Sequence, residues 1–200
     1  MTFSLTNLMR EPRPALRSLC ELCALPLQEM HGHVVDTTDR RLLCTCYACS
    51  LLFAAPGAAR GRFKMVPRRY AKIPSLLFSD AQWDALGIPI GLAFFFENSA
   101  SERIIAFYPG PAGATESQLP LDAWHELRER EPLIASMETD VEAALVYRVR
   151  GAKPRAFVVP IDACYELVGL VRSKWSGIGG GDEVERGIES FFHKIEEETR

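Results

Sequence analysis

Five of the six cysteines lie between positions 20 and 49, and their spacing is that of metal ligands. Cys20-Glu-Leu-Cys23 forms one Cys-x-x-Cys pair, and Cys46-Tyr-Ala-Cys49 forms a second. Each pair lets two thiolates bite one ion within a tight turn. Zinc asks for four such ligands in tetrahedral array, at roughly 2.3 Å each. Two chelating pairs separated by a foldable loop supply that arrangement, so Cys20, Cys23, Cys46 and Cys49 are expected to hold one Zn²⁺ per chain. Iron bound by four thiolates is chemically possible. The surroundings lack the glycine and aromatic pattern of a rubredoxin, which keeps zinc ahead. Zinc knuckles often place glycine after the second cysteine of a pair; here Ala24 and Ser50 stand there.

Cys44 is the spare thiol. It either substitutes for Cys46 or packs as a small residue. His31 and His33 alternate along a strand and face Cys44 across a hairpin in one reading, which suggests a second site. In the other they are surface residues or supports for the first site. Two further cysteine and glycine features are weaker. Cys164 falls in the first turn of a helix, where a dipole can depress a thiol pKa, and His125 and His193 are candidate partners for a thiol enzyme. The loop 108–117 and the glycine run 177–181 match no phosphate-binding motif, and are read as ordinary turns. No catalytic signature surrounds Cys164, which is expected to be a packing residue, and the chain as a whole leans away from enzyme chemistry.

The elements that position the cysteines follow from local patterning. His33-Val34-Val35 and Arg41-Leu42-Leu43 flank the turn-rich Asp36–Arg40, which predicts a β-hairpin. Residues 46–53 look like the first turns of a helix, whose amide dipoles favour thiolates. Knuckle, hairpin and helix start resemble a treble-clef zinc site.

Beyond this module, 56–74 is a proline- and glycine-punctuated connector. It carries Arg60, Arg62, Lys64, Arg68, Arg69 and Lys72 with no acidic residue between them. With Phe63 and Tyr70 interleaved, it is a candidate nucleic-acid contact, a solvated linker, or a face for the acidic last helix. Ser79-Asp-Ala-Gln82 is a capping box, with Phe78 and Trp83 spaced as its staple and Gly87 suited to the helix end. Residues 90–97 with 103–108, and 142–150 with 156–161, predict two hairpins. Helices are expected over 121–130, with Leu121, Trp124 and Leu127 on one face, and from an N-capping Asp162 to about Trp175. A last helix spans about 183–198.

The expected fold is therefore α+β: a cysteine-liganded zinc module followed by an antiparallel sheet of two hairpins packed with helices. The expected divisions are a flexible arm (1–19), the zinc module (20–55), a basic linker (56–74) and an α+β domain (75–200) that stands without the module.

Composition sets outer limits. The 200 residues are 48 % hydrophobic, enough to bury a core. A net charge of −3 gives no overall pull toward nucleic acid or acidic membranes. The charged N-terminal stretch lacks a signal-peptide core, and the apolar runs are too short to span a bilayer. The expectation is a soluble cytoplasmic protein without a membrane role, and in a reducing compartment clustered cysteines favour metal over disulfides.

Several longer motifs resemble a family of uncharacterised bacterial proteins of similar length. They are Cys20–Cys23, His31-Gly-His33-Val-Val-Asp36, Leu42-Leu-Cys44-Thr-Cys46-Tyr-Ala-Cys49, the run 88–96, Ala106-Phe-Tyr-Pro109, Pro111–Ser117 and Val159–Tyr165. The resemblance covers nearly the whole chain after residue 18. Such proteins are often encoded beside nickel–iron hydrogenase genes. The resemblance implies an accessory or adaptor role through protein–protein binding, with a hydrogenase subunit or maturation factor as the expected partner. A nucleic-acid-binding regulator is the runner-up.

Overall fold

The apolar runs in the second half of the chain lack the polar alternation of a sheet with one wet face, and the computed structural model shows why. It describes residues 18–55, 57–74, 78–117, 121–149, 151–176 and 180–199. The expected arm, except for Ser18 and Leu19, and residues 177–179 fall outside these residues, as does the side chain of Leu121.

A six-stranded antiparallel sheet runs in the order β4-β9-β8-β5-β6-β7. Its strands are β4 (Ala71–Lys72), β5 (Leu92–Asn98), β6 (Arg103–Gly110), β7 (Gly113–Ser117), β8 (Glu142–Tyr147) and β9 (Arg155–Pro160). Both expected hairpins are present, as β5–β6 and β8–β9, and the register Leu92↔Tyr147 to Phe95↔Ala144 fuses them into one sheet.

Both faces are covered. Leu92, Phe94, Phe96, Leu145 and Phe157 pack against α5 (Ile161–Lys174) and α6 (Asp182–Glu198). Ala93, Phe95, Ala144, Val146 and Val158 face α2 (Asp80–Ala85), α3 (Leu121–Arg130) and α4 (Pro132–Ala135) through Trp83, Trp124, Leu127 and Ile134. A strand buried on both faces carries a continuous apolar run because each side of its pleat meets a core. Gly91, just before β5, is required by close approach: a Cβ there would lie 1.9 Å from the Arg148 carbonyl oxygen.

The α2 capping box forms as its sequence indicates, with the Ser79 hydroxyl accepting from the Gln82 amide and the Gln82 side chain accepting from the Ser79 amide. Phe78 and Trp83 meet at 6.0 Å between ring centroids. The cap expected of Asp162 is different. α5 springs directly from β9 with Pro160 at the cap position, so Asp162 stands inside the first turn. One of its oxygens accepts from the Ala163 amide, and the other from His33 across 129 residues.

A second, three-stranded sheet has the order β2-β1-β3, with β1 (Gly32–Asp36), β2 (Arg41–Thr45) and β3 (Phe63–Met65). The basic stretch 56–74 is thus part of the fold: β3 pairs with β1, and β4 pairs with β9. Three of its six cations pair with buried carboxylates. Lys64 pairs with Asp140 at 2.8 Å, Arg62 with Asp36 at 2.7 Å, and Arg69 grips both oxygens of Glu142 at 2.7 Å. Val35 and Val66 join the same apolar cluster as α5 and the large sheet. A chain cut before residue 75 would lose these groups and leave two buried carboxylates without cations. The expected autonomy of 75–200 therefore does not follow from this packing.

Asp36 gives a pH prediction. The Arg62 guanidinium holds its carboxyl below the usual carboxylate range, against the opposing effect of burial. A depressed folded pKa contributes stability above the unfolded value, about 3.9, and loses it as pH falls through the folded value. The melting-temperature advantage of the wild type over Asp36→Asn should be constant from pH 7 to about 5 and shrink below about pH 4. An advantage that stays constant down to pH 3 contradicts the assignment.

Candidate metal centre

Residues 18–27 fold back on themselves through the Cys20 amide to the Leu25 carbonyl, the Ala24 amide to the Cys20 carbonyl, and the Leu27 amide to the Ser18 carbonyl, each 2.8 Å. This knuckle presents Cys20 and Cys23. It docks on β2 through the Glu21 amide to the Cys44 carbonyl at 2.9 Å, and the Glu21 carboxylate accepts the Cys44 amide at 2.6 Å in return. The Glu21 carboxylate also pairs with Arg41. The β1–β2 hairpin then returns the chain to Cys46, which caps the five-residue helix α1 (Tyr47–Leu51) that carries Cys49.

The four Sγ atoms of Cys20, Cys23, Cys46 and Cys49 lie within 4.8 Å of one another, and Cys23 to Cys46 is 3.7 Å. A tetrahedron with metal–sulfur bonds of roughly 2.3 Å has edges of about 3.8 Å, so the donor set fits a tetrahedral thiophilic ion. The cysteines are all free thiols.

Electrostatics point the same way. Burial pushes the Cys20 thiol up, but hydrogen bonds from the backbone at Cys46, Leu22 and Cys23 outweigh it and bring it down to about 6. Cys49 is pushed up to about 12, chiefly by the Cys23 and Cys46 thiols beside it. Cys20 forms a thiolate readily, while Cys23 and Cys49 are raised and resist following it. A divalent cation at the centre would supply the countercharge that lets all four ionise.

The missing knuckle glycine leaves a mark. Ala24 has φ +59°, a left-handed conformation that glycine adopts freely and alanine at a penalty of roughly 1–2 kcal/mol. Part of any gain from glycine is lost to its larger unfolded-state entropy. Ala24→Gly should therefore tighten metal retention slightly against a competing chelator, while a β-branched residue there should weaken it. A weaker hold in the glycine variant contradicts this.

His31, His33 and Cys44 form a separate group, with one ligand-capable atom from each within 4.8 Å of the others. Cys44 is therefore not in the four-cysteine cluster. Burial, and then the Glu21 carboxylate, raise its thiol above the ordinary value.

Cys164 is fully buried in α5, where burial and then the Asp162 charge raise its thiol well above the ordinary value. His125 is exposed on α3, whose Trp124 and Leu127 pack on the opposite face of the sheet, and His193 is exposed on α6. Neither His125 nor His193 is placed to pair with the fully buried Cys164. Iodoacetamide near pH 7 should leave Cys164 unlabelled in the folded protein, and Cys164→Ala should cost about 1 kcal/mol. Rapid labelling would contradict the burial argument.

The loop 108–117 is a hairpin, with β6 and β7 paired along it from Ala106↔Ser117 to Gly110↔Gly113. No described helix is long and apolar enough to cross a membrane.

Fold and site together define a mixed α/β protein with antiparallel sheets and a four-cysteine centre near its N-terminus. The chain belongs to the family of unknown function DUF5947, whose model matches residues 19–199. Neither the curated proteins nor the solved structures include a match to it.

Proposed function

We propose that this protein is a zinc-stabilised adaptor acting by binding another protein in the cytoplasm, with the assembly of nickel–iron hydrogenase as its setting. The observation that carries this reading is the apolar surface around the cysteine centre. Among the described residues, seven of the eight large exposed hydrophobic side chains fall between positions 19 and 52. Leu19, Leu22, Leu25 and Met30 come from the knuckle and the chain leaving it; Tyr47, Leu51 and Leu52 come from α1 and its end. Met30 is 81 % exposed and Tyr47 72 %, and the two share an open cleft of about 460 Å³ with Arg68 on its wall. Exposed apolar groups concentrated on one small module are the signature of a surface that another protein covers.

Zinc is the proposed ion because four clustered thiolates suit its tetrahedral preference. The order of knuckle, hairpin and ligand-bearing helix start supports a treble-clef arrangement. The hydrogenase setting rests on the family resemblance and selects the first partner to test. The nucleic-acid reading draws less support, since Arg62, Lys64 and Arg69 are already committed to carboxylates.

The test is calorimetric titration of the full zinc-loaded chain with purified hydrogenase subunits. Saturable binding that changes little with salt is expected. A Leu25→Glu/Tyr47→Glu variant should bind at least tenfold more weakly, about 1.4 kcal/mol. Absence of binding to any subunit removes the hydrogenase setting, and full affinity in the variant removes the proposed surface. Binding to nucleic acid with a steep salt dependence would favour the regulator instead.

A further inference from the structure

The group formed by His31, His33 and Cys44 has the organisation of a second metal site. His33 and Cys44 are direct cross-strand partners in the β1–β2 register, so their side chains project from one face of the small sheet. His31 lies two residues before His33, which places it on the same face, and the two rings sit 4.8 Å apart between centroids. This grouping follows from the hairpin and is independent of the four-cysteine centre.

The hydrogen bonds fix how each imidazole is presented. His31 Nδ1 lies 3.0 Å from the Gln28 carbonyl oxygen, which can only accept, so Nδ1 carries the proton. That leaves Nε2 as a bare lone pair, and this atom is buried without a hydrogen-bond partner. A buried polar atom without a partner carries a penalty of about 1–3 kcal/mol, and a metal bond relieves it. His33 Nδ1 donates to the Asp162 carboxylate at 2.8 Å, again leaving Nε2 as the donor atom. A carboxylate or backbone carbonyl behind each imidazole is the support that metal-bound histidines use to fix tautomer and ring orientation. It also gives a role to the Asp162 oxygen that the Ala163 amide leaves free.

We propose that His31 Nε2, His33 Nε2 and Cys44 Sγ bind a second late first-row transition ion, with Asp162 as the positioning residue for His33. Two imidazoles and one thiolate suit cobalt, nickel, copper or zinc and exclude magnesium and calcium, which take oxygen ligands. Three protein ligands leave a coordination position for water or another small donor. His33 also lines an open cleft of about 320 Å³ with Tyr70, Asp162 and Tyr165. A three-ligand site of this kind exchanges its fourth donor, in contrast to a closed set of four thiolates.

Titration of the full-length reduced protein with cobalt(II), with zinc content measured in parallel, tests this. One cobalt per chain should bind without releasing zinc and give a thiolate-to-cobalt charge-transfer band. Cys44→Ser should abolish the band, and His31→Ala and His33→Ala should each weaken cobalt binding by at least tenfold. Asp162→Asn should weaken it by about 10–100-fold. Undiminished zinc in each variant shows that the rest of the chain is intact. If His33→Ala loses zinc as well, His31→Ala and Asp162→Asn decide the outcome. Cobalt that enters only by displacing zinc, or an affinity unchanged in those two variants, overturns the proposal.

Discussion

Stripping the ion from the four-cysteine centre is expected to release residues 18–31 from the fold while the six-stranded sheet stays intact. Cys20 is the only buried side chain in that stretch. Among the described residues, what else holds the knuckle is a handful of backbone hydrogen bonds, the Glu21 contacts to Cys44 and Arg41, and the His31 ring against the Gln28 carbonyl. Such bonds are worth about 0.5–1.5 kcal/mol each, too little to offset the ordering of fourteen residues at about 1–2 kcal/mol apiece. Structural zinc supplies about 10–16 kcal/mol of apparent binding energy, and an ion in this centre would have to order the knuckle without a hydrophobic core to assist it. Hydrogen exchange reads the result directly. The amides of Cys20, Glu21, Ala24 and Leu27 should be protected in the metal-loaded protein and exchange at open-chain rates after chelation. Amides of β5, β8 and β9 should keep their protection. Unchanged protection in the knuckle contradicts this expectation, as does collapse of the large sheet.

The second large effect concerns Arg69. Its guanidinium donates to both oxygens of Glu142 at 2.7 Å, and the Glu142 side chain is only 3 % exposed at the start of β8. The Glu138 amide also donates to the same carboxylate. Arg69→Met removes the cation and leaves a buried charge, a change that costs about 3–5 kcal/mol in comparable buried pairs. The half-exposed Arg69 places the expectation at the lower end, about 3 kcal/mol. Adding Glu142→Gln to Arg69→Met should recover part of that loss, because the charge that needed a partner is gone. Denaturant unfolding of the wild type and of the single and double variants checks this. A loss below about 1 kcal/mol in Arg69→Met would mean that water already serves the carboxylate.

Both effects turn on how far apart in the chain the partners lie, and that distance also limits what the sequence reveals. The cysteine pairs are legible because their chemistry is local: each Cys-x-x-Cys needs only a turn, and Ser79 and Gln82 likewise sit three residues apart. The strands of the two hairpins are legible through long apolar runs. β3 and β4 are not, being three and two residues long and defined only by partners elsewhere in the chain. The cations of 56–74 look free in the sequence for the same reason. Their carboxylates, Asp36, Asp140 and Glu142, lie 26, 76 and 73 residues away from Arg62, Lys64 and Arg69. Asp162 meets every local rule for a cap, yet the strand leads straight into α5, and its free oxygen turns to His33. The pairing of His31 and His33 with Cys44 is legible as alternation across a hairpin; the buried His31 Nε2 and the carboxylate behind His33 are not.

The central claim is that Cys20, Cys23, Cys46 and Cys49 hold one ion. Elemental analysis of the purified full-length protein and of its Cys20→Ser/Cys23→Ser variant tests it most directly. Tightly held zinc that resists dialysis is predicted in the wild type, with one equivalent per chain missing from the variant. A wild type free of metal, or a variant with the same zinc content, would contradict it.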